Sequence, residues 1–129
     1  MQNLSTENNK ELNKIALRYI KENKLSKALK ILNQILKINP ENTTALCNKG
    51  VAFSKLGKYQ KALRYYDLTL NYDPNFEIAK VNRSKLLLKV QITANRTQGI
   101  ADAFFKAVII IGSILCVLLF YLFIFLLGR

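Results

Sequence analysis

The sequence predicts an all-α protein: a solenoid of helical hairpins with two repeats and a capping helix, followed by a single C-terminal transmembrane helix. Three observations predict this class. The chain repeats itself with a period of 34 residues, its apolar residues recur at helical spacing, and residues 107–127 contain no charged side chain. A chain of 129 residues has room for one small domain and one appendage.

Composition excludes several classes of chemistry. The chain has no His, so catalysis by His and metal sites built on His are ruled out. The eight Asp and Glu residues are scattered, and no glycine-rich phosphate loop, nucleophile elbow or metal-ligand spacing occurs. We therefore expect no catalytic residue, no metal site and no cofactor. Cys47 and Cys116 lie in different parts of the chain and are interpreted as free thiols of a reducing compartment.

The first two hairpins follow from the internal repeat. Residues 9–42 align with residues 43–76 at eight identical positions. Apolar spacing predicts helices over residues 10–22, 26–38, 43–56 and 60–72. Asn23 and Gly57 follow the first helix of each unit, where a residue with positive φ commonly ends a helix. Each unit is therefore predicted to be a hairpin of two antiparallel helices.

Residue types at set offsets in both copies resemble the signature of the tetratricopeptide repeat family. The signature positions are Ala16, Tyr19, Ala28 and Pro40 in the first copy, and Leu46, Gly50, Phe53, Gly57, Tyr59, Ala62, Tyr66 and Pro74 in the second. The resemblance covers residues 9–76 fully and residues 77–90 in part. It implies a stack of helical hairpins whose first helices form a concave groove, and such arrays bind protein or peptide partners.

A third unit begins after residue 76 and is left incomplete. Asn82 repeats Asn48, but Arg96 occupies the position that Ala62 holds in the second unit. Residues 76–90 are therefore predicted to form one capping helix with a polar outer face. The predicted domains are a flexible N-terminus at residues 1–8, a tetratricopeptide-like domain at 9–92, a linker at 93–103 and a transmembrane helix at 104–127.

The resemblance also implies a set of polar side chains in the groove. They are Asn13, Lys14, Lys21, Asn48, Lys55, Asn82, Lys85 and Lys89. The lysines favour an acidic ligand or a free carboxylate, and the asparagines can hydrogen-bond a peptide backbone. The alternative is a basic face that is only solvated or contacts anionic lipid. Leu17 and Ile78 occupy positions of the two-carboxylate clamp found in chaperone-binding members, so binding of chaperone tails is not expected.

Residues 107–127 have the length of a membrane span. Their 21 residues extend about 31 Å as a helix, the thickness of a bilayer's hydrocarbon core. Only Gly128 and Arg129 follow, which predicts a tail-anchored, single-pass protein. Six basic residues between Lys80 and Lys106 lie close to the span on its N-terminal side and Arg129 alone follows it, so the N-terminal domain is predicted to be cytosolic. Gly112 and Cys116 have the spacing of a helix-packing pair, which leaves a homo-oligomer through this helix open.

These observations predict a membrane-anchored adaptor or scaffold, and not an enzyme. It holds a protein partner, through an acidic or extended peptide, at the cytosolic face of a membrane. Two alternatives stay open: a structural or assembly subunit of a membrane protein complex, and an adaptor similar to the tail-anchored fission adaptors of mitochondrial and peroxisomal outer membranes. The net charge is +12, but no nucleic-acid-binding motif accompanies it, so no nucleic acid partner is expected.

Overall fold

The computed structural model of the chain describes residues 2–128, with side chains for residues 7–128. These residues form five α-helices and no strand. The helices are α1 (Gln2–Lys21), α2 (Leu25–Ile38), α3 (Thr43–Lys55), α4 (Tyr59–Tyr72) and α5 (Glu77–Leu127). The all-α prediction is confirmed, and α2, α3 and α4 begin and end within one residue of their predicted bounds.

Both hairpins turn through one residue with positive φ, as the sequence predicts. The φ angle is 58° at Asn23 and 72° at Gly57. In the second hairpin the backbone N–H of Lys58 donates to the carbonyl oxygen of Phe53 at 2.9 Å, and the first hairpin has the equivalent hydrogen bond. This bond satisfies one of the carbonyl groups that would otherwise be unpaired at the end of the helix.

The segments between successive hairpins are held by side-chain oxygens. The carboxamide of Asn39 and the carboxylate of Asp73 each accept from the backbone N–H two residues further on, at 3.2 and 3.0 Å. Asn42 then caps α3, because its Oδ1 accepts from the backbone N–H of Ala45 at 2.9 Å. These hydrogen bonds stabilise the backbone between one hairpin and the next.

Two clusters of buried side chains form the core of the repeat domain. The first consists of Ala16, Ile20, Leu25, Ala28, Leu32, Ile35, Ala45 and Ala52. The second consists of Cys47, Ala62, Tyr66, Ala79 and Leu86. Helix α3 contributes to both clusters, so the two hairpins form one continuous stack. The start of α5 covers the second hairpin as the predicted capping helix, and Arg83 pairs there with Asp67 of α4 at 2.5 Å.

Two segments predicted without helix are helical. Helix α1 begins at Gln2, within the predicted flexible segment 1–8, of which Met1 lies outside the described residues. Helix α5 runs without a break through residues 93–103, where a linker is predicted. Neither segment contains a proline, and one glycine inside a helix costs only about 1 kcal/mol, so nothing in these sequences forces the helix to end.

The chain divides into two units, one up to Val90 and one from Gln91 on. In the second unit every described residue is exposed. Helix α5 is long and apolar enough to cross a membrane, by length and composition, and none of its most apolar window is buried. Arg129, the basic residue after the apolar segment, lies outside the described residues.

Candidate binding site

Two cavities of the repeat domain contain most of the predicted groove residues. The first, here called the asparagine pocket, has a volume of about 390 Å³. It is lined by Asn9, Lys10, Asn13, Lys14, Leu17, Asn39, Asn42, Thr44, Cys47, Asn48, Phe76 and Ile78. The second, the lysine pocket, has a volume of about 190 Å³. It is lined by Val51, Ser54, Lys55, Tyr66, Asn82, Lys85, Leu86 and Lys89.

The eight predicted groove residues divide between these pockets, with one exception. The asparagine pocket contains Asn13, Lys14 and Asn48, and the lysine pocket contains Lys55, Asn82, Lys85 and Lys89. Lys21 lines neither pocket, because it is the last residue of α1 and its exposed side chain lies where the chain turns into α2. The spacing of 34 residues therefore places Lys55 and Lys89 together but leaves Lys21 apart.

The asparagine pocket is organised around Asn13, which is 7% exposed. Its Nδ2 donates to the carbonyl oxygen of Asn9 at 3.1 Å and to Oδ1 of Asn42 at 3.3 Å. The second bond ties α1 to the cap of α3. Sequence reasoning missed Asn9 and Asn42 as lining residues. A signal was present, because Asn9 precedes Asn13 by four residues and so lies on the same helix face.

Three lysines, Lys55, Lys85 and Lys89, line the lysine pocket. No acidic side chain is among its lining residues in the described part of the chain. Lys89 is already engaged, with its Nζ 5.1 Å from the centre of the Tyr59 ring. Lys55 and Lys85 form no ion pair with any residue that the structure describes. The lining of this pocket therefore carries an excess of positive charge, which favours a negatively charged ligand group.

Gly50, Cys47 and Tyr66 are buried groups close to the two pockets, and Cys47 and Tyr66 belong to the second core cluster. Gly50 lies against Tyr66, and a Cβ atom on Gly50 would be 2.5 Å from Cε1 of that ring. Burial raises the pKa of the Cys47 thiol to about 11, against a hydrogen bond from Asn82 that lowers it. Burial also raises the pKa of the Tyr66 phenol, and the neighbouring Cys47 adds to that effect. Both groups are therefore neutral at physiological pH, and the lysines carry the local charge.

The repeat signature matches family models over half of the chain. Residues 43–76 match one tetratricopeptide repeat model, and residues 12–42 match another. The chain belongs to the tetratricopeptide repeat family. The family signature also explains the burial pattern, because Ala16, Ala28, Leu46, Gly50, Ala62 and Tyr66 are buried where the helices of each tetratricopeptide hairpin cross.

Proteins similar to this tetratricopeptide chain are larger. The BBSome complex member BBS4 of Bos taurus is 42% identical over 50 residues, which are 39% of this chain and 10% of that protein. The chloroplastic tetratricopeptide repeat domain-containing protein PYG7 of Arabidopsis thaliana is 30% identical over 80 residues, 62% of this chain and 27% of that protein. The chain thus spans only 10% and 27% of these two curated relatives.

A solved structure supports the tetratricopeptide fold. The structure titled MamA RS-1 ArsTM double mutant is similar to this chain, with a TM-score of 0.57 and 27% sequence identity. The similarity covers 64% of this chain and 46% of that one. The 64% of this chain that is covered corresponds to the length of the repeat domain and not to that of the whole chain.

A further cavity of about 620 Å³ lies on a face that sequence reasoning did not predict. There the rings of Phe53 and Tyr65 stack with centroids 5.4 Å apart. Lys49 lies 4.7 Å from the centre of the Tyr65 ring, and Lys61 lies 5.8 Å from that of Phe53. These lysines are held on aromatic faces of their own hairpin, so the arrangement stabilises the second repeat.

The predicted helix-packing pair of the apolar segment is exposed. A Cβ atom on Gly112 would meet nothing within 4 Å, and Cys116 is a free, exposed cysteine. The surface is open for a second helix, and packing at this pair stays a prediction.

Proposed function

We propose that this chain is a membrane-anchored adaptor whose tetratricopeptide groove holds an acidic, extended segment of a protein partner. The repeats make the chain a protein–protein interaction module. The further step, that the partner segment is acidic, is supported by the lysine pocket. There Lys55 and Lys85 lie together, and neither forms an ion pair with a residue in the described part of the chain.

The electrostatics of the pocket favour this partner over a neutral one. Lys55 and Lys85 have no ion pair to break before they meet a carboxylate, because neither forms one in the described part of the chain. The amide of Asn82 and the hydroxyl of Ser54 line the same pocket and add uncharged hydrogen-bonding groups. An Asp or Glu side chain of an extended peptide fits this chemistry.

The membrane part of the proposal is supported by α5. Its apolar segment is long enough to span a bilayer and is fully exposed. An exposed segment of this kind is unfavourable in water, and a bilayer removes its apolar side chains from water. The basic residues that precede the segment favour the cytosolic side for the repeat domain. Anchoring would then hold the bound partner at the membrane surface.

A second candidate function is a subunit of a membrane protein complex. It is favoured by large apolar side chains on the first part of α5 that remain largely exposed. Ile78, Val81 and Leu88 are 62%, 46% and 61% exposed. One relative is itself named as a complex member, the BBSome complex member BBS4. This function differs from the first in that binding would require the exposed apolar side chains of α5 and not the charges of Lys55 and Lys85.

Reversing two lysine charges is expected to weaken peptide binding about tenfold or more. The probe is an acidic decapeptide, acetylated and amidated at its ends, selected from a random display library by the full chain in detergent micelles. The Lys55→Glu, Lys85→Glu double variant replaces attraction by repulsion at the carboxylate. Because these side chains are solvated, 0.5 M salt should reproduce part of the loss in the unaltered protein. Fluorescence anisotropy measures the affinity.

The matched control is the Lys30→Glu, Lys37→Glu double variant. It changes the net charge by the same amount on exposed positions of α2 that line neither pocket. Its affinity is expected to stay within twofold of the unaltered protein. Equal weakening by both double variants would show that only overall charge matters, and selection of no acidic peptide would reject the proposed ligand.

Membrane insertion is expected to survive alkaline carbonate extraction. The full chain expressed in cells should remain in the membrane pellet, whereas the Leu115→Lys, Leu118→Lys variant should be released, because each lysine at a span's centre costs about 3 kcal/mol. In sealed vesicles with the cytosolic face outward, added protease should digest the repeat domain. Release of the unaltered chain by carbonate, or protection of the repeat domain, would contradict the anchoring or the topology respectively.

A further inference from the structure

We infer that the exposed side of α2 and α4 docks on a membrane surface rich in anionic lipids. This side, here called the outer face, is formed by Lys27, Lys30 and Ile38 of α2 and by Lys61, Arg64 and Tyr72 of α4. None of these residues lines the asparagine pocket or the lysine pocket, so the outer face is separate from the proposed peptide site. The inference rests on the proposed function only in that an anchor in the bilayer keeps lipid close to the repeat domain.

The repeat puts the members of the outer face at matching positions of the two hairpins. Each residue of α2 precedes its counterpart in α4 by one repeat period: Lys27 precedes Lys61, Lys30 precedes Arg64, and Ile38 precedes Tyr72. Successive residues of an α-helix are about 100° apart, so the three side chains of each helix fall within an arc of about 80°. All six are exposed, so both arcs face away from the core.

Contacts within the hairpins repeat in the same way. Nζ of Lys27 lies 5.9 Å from the centre of the Tyr19 ring, and Nζ of Lys61 lies 5.8 Å from the centre of the Phe53 ring. Each lysine therefore has an aromatic ring of its own hairpin beside it. Helix α1 packs against α3, whereas α2 and α4 do not pack against each other in the described part of the chain. This is the arrangement of a curved stack with α2 and α4 on its outer side.

The outer face has positive charges and little to neutralise them. Helix α2 contains three lysines and no acidic residue. Helix α4 contains two basic residues and one acidic residue, Asp67, whose carboxylate already pairs with Arg83. The four basic residues of the outer face form no ion pair with any residue that the structure describes. Each basic residue close to an anionic leaflet strengthens membrane binding about fivefold, so the charge of this face complements such a surface.

Two large apolar side chains favour a lipid surface over other anionic partners. Ile38 and Tyr72 end α2 and α4 and are 69% and 46% exposed. A bilayer surface offers phosphate groups to the cations and an apolar boundary to these two side chains, and tyrosine is enriched at that depth. A polynucleotide would meet the cations but leave Ile38 in water. Because the proposed anchor holds the chain at a bilayer, lipid is also present at a higher effective concentration than a soluble partner.

Quenching of a fluorophore by nitroxides on lipid headgroups tests this inference in the full chain. The chain carries bimane on Gln34→Cys, an exposed position of α2 between Lys30 and Ile38, together with Cys116→Ala, while Cys47 is buried and reacts slowly. It is reconstituted in lipid nanodiscs of phosphatidylcholine, with or without about 30% phosphatidylserine. We expect quenching to be at least about threefold stronger with phosphatidylserine, and to fall most of the way back in high salt, which screens the charges.

Two double variants identify the side chains responsible. Lys30→Glu, Arg64→Glu should reduce quenching to the value in phosphatidylcholine discs, because losing two attractions lowers the docking constant at least about 25-fold. Ile38→Ser, Tyr72→Ser should weaken quenching in the anionic discs without abolishing it. The matched control, Lys55→Glu, Lys85→Glu, changes the net charge by the same amount inside the lysine pocket and should leave quenching unchanged.

The comparison between the two lipid compositions does not depend on how well any charge variant folds. Equal quenching in both kinds of disc would overturn the inference alone, and so would equal loss in the outer-face and lysine-pocket variants. RNA binding in phosphatidylcholine discs that requires Lys30 and Arg64 but not Ile38 and Tyr72 would also overturn it, in favour of a polynucleotide. A chain that does not enter the discs would reject the proposed anchoring, and this inference with it.

Discussion

Replacing Gly50 by valine is expected to lower the free energy of unfolding of the repeat domain by about 2–3 kcal/mol. A Cβ atom at this position would lie 2.5 Å from Cε1 and 2.8 Å from Cδ1 of Tyr66. The ring is 2% exposed and cannot move aside without displacing the second core cluster. Overpacking of this kind costs several times the small gain in helix propensity on replacing glycine.

Hydrogen exchange of the backbone amides of α3 and α4, in the full chain in detergent micelles, measures the effect. The matched control is Gly99→Val, because Gly99 is also a helical glycine and its Cβ would meet nothing within 4 Å. We expect faster exchange in the Gly50 variant only. Equal protection in the two variants would mean that α3 and α4 do not approach closely at Gly50.

Raising the pH from 9 to 11 is expected to remove about 2 kcal/mol of stability through Cys47 alone. In the folded chain the pKa of its thiol is about 11, and in the unfolded chain it takes its ordinary value of 9.0. Between these values the folded state keeps a proton that the unfolded state has lost, so rising pH favours unfolding. Below pH 9 both states are protonated and the stability is fully present. The raised pKa of Tyr66 extends the loss to higher pH.

Thermal unfolding followed by near-UV circular dichroism at several pH values tests this. The Cys47→Ala variant should lose stability less steeply between pH 9 and 11, since the titrating group is absent. Cys116→Ala is the control and should follow the unaltered protein, because Cys116 lies outside the repeat domain and is exposed. A slope unchanged by Cys47→Ala would show that the thiol is open to water in the folded state.

The sequence alone determined the repeat architecture, because hairpin boundaries depend on local chemistry. Asn23 and Gly57 end helices through a backbone preference that needs no tertiary partner, and the turns are observed there. The small residues Gly50 and Ala62 predict close helix crossings, and both are buried. A run of apolar residues as long as a membrane span is likewise visible without coordinates.

Continuity of α5 was not predictable from local signals. Gly99 and the polar residues around it are typical of a linker, yet residues 93–103 are helical. Such residues weaken a helix without stopping it, since only proline or a competing cap imposes an end. The helical start of α1 at Gln2 has the same explanation.

Only the tertiary structure decided which groove residues meet. Sequence period places Lys21, Lys55 and Lys89 at one offset, but Lys21 lies at the end of α1 and lines neither pocket. The hydrogen bond from Asn13 to the cap of α3 joins residues 29 apart in sequence. The repeat period and the helix propensities can be read from the order of residues along the chain. Whether a buried atom finds a hydrogen-bond partner depends instead on which helices pack together.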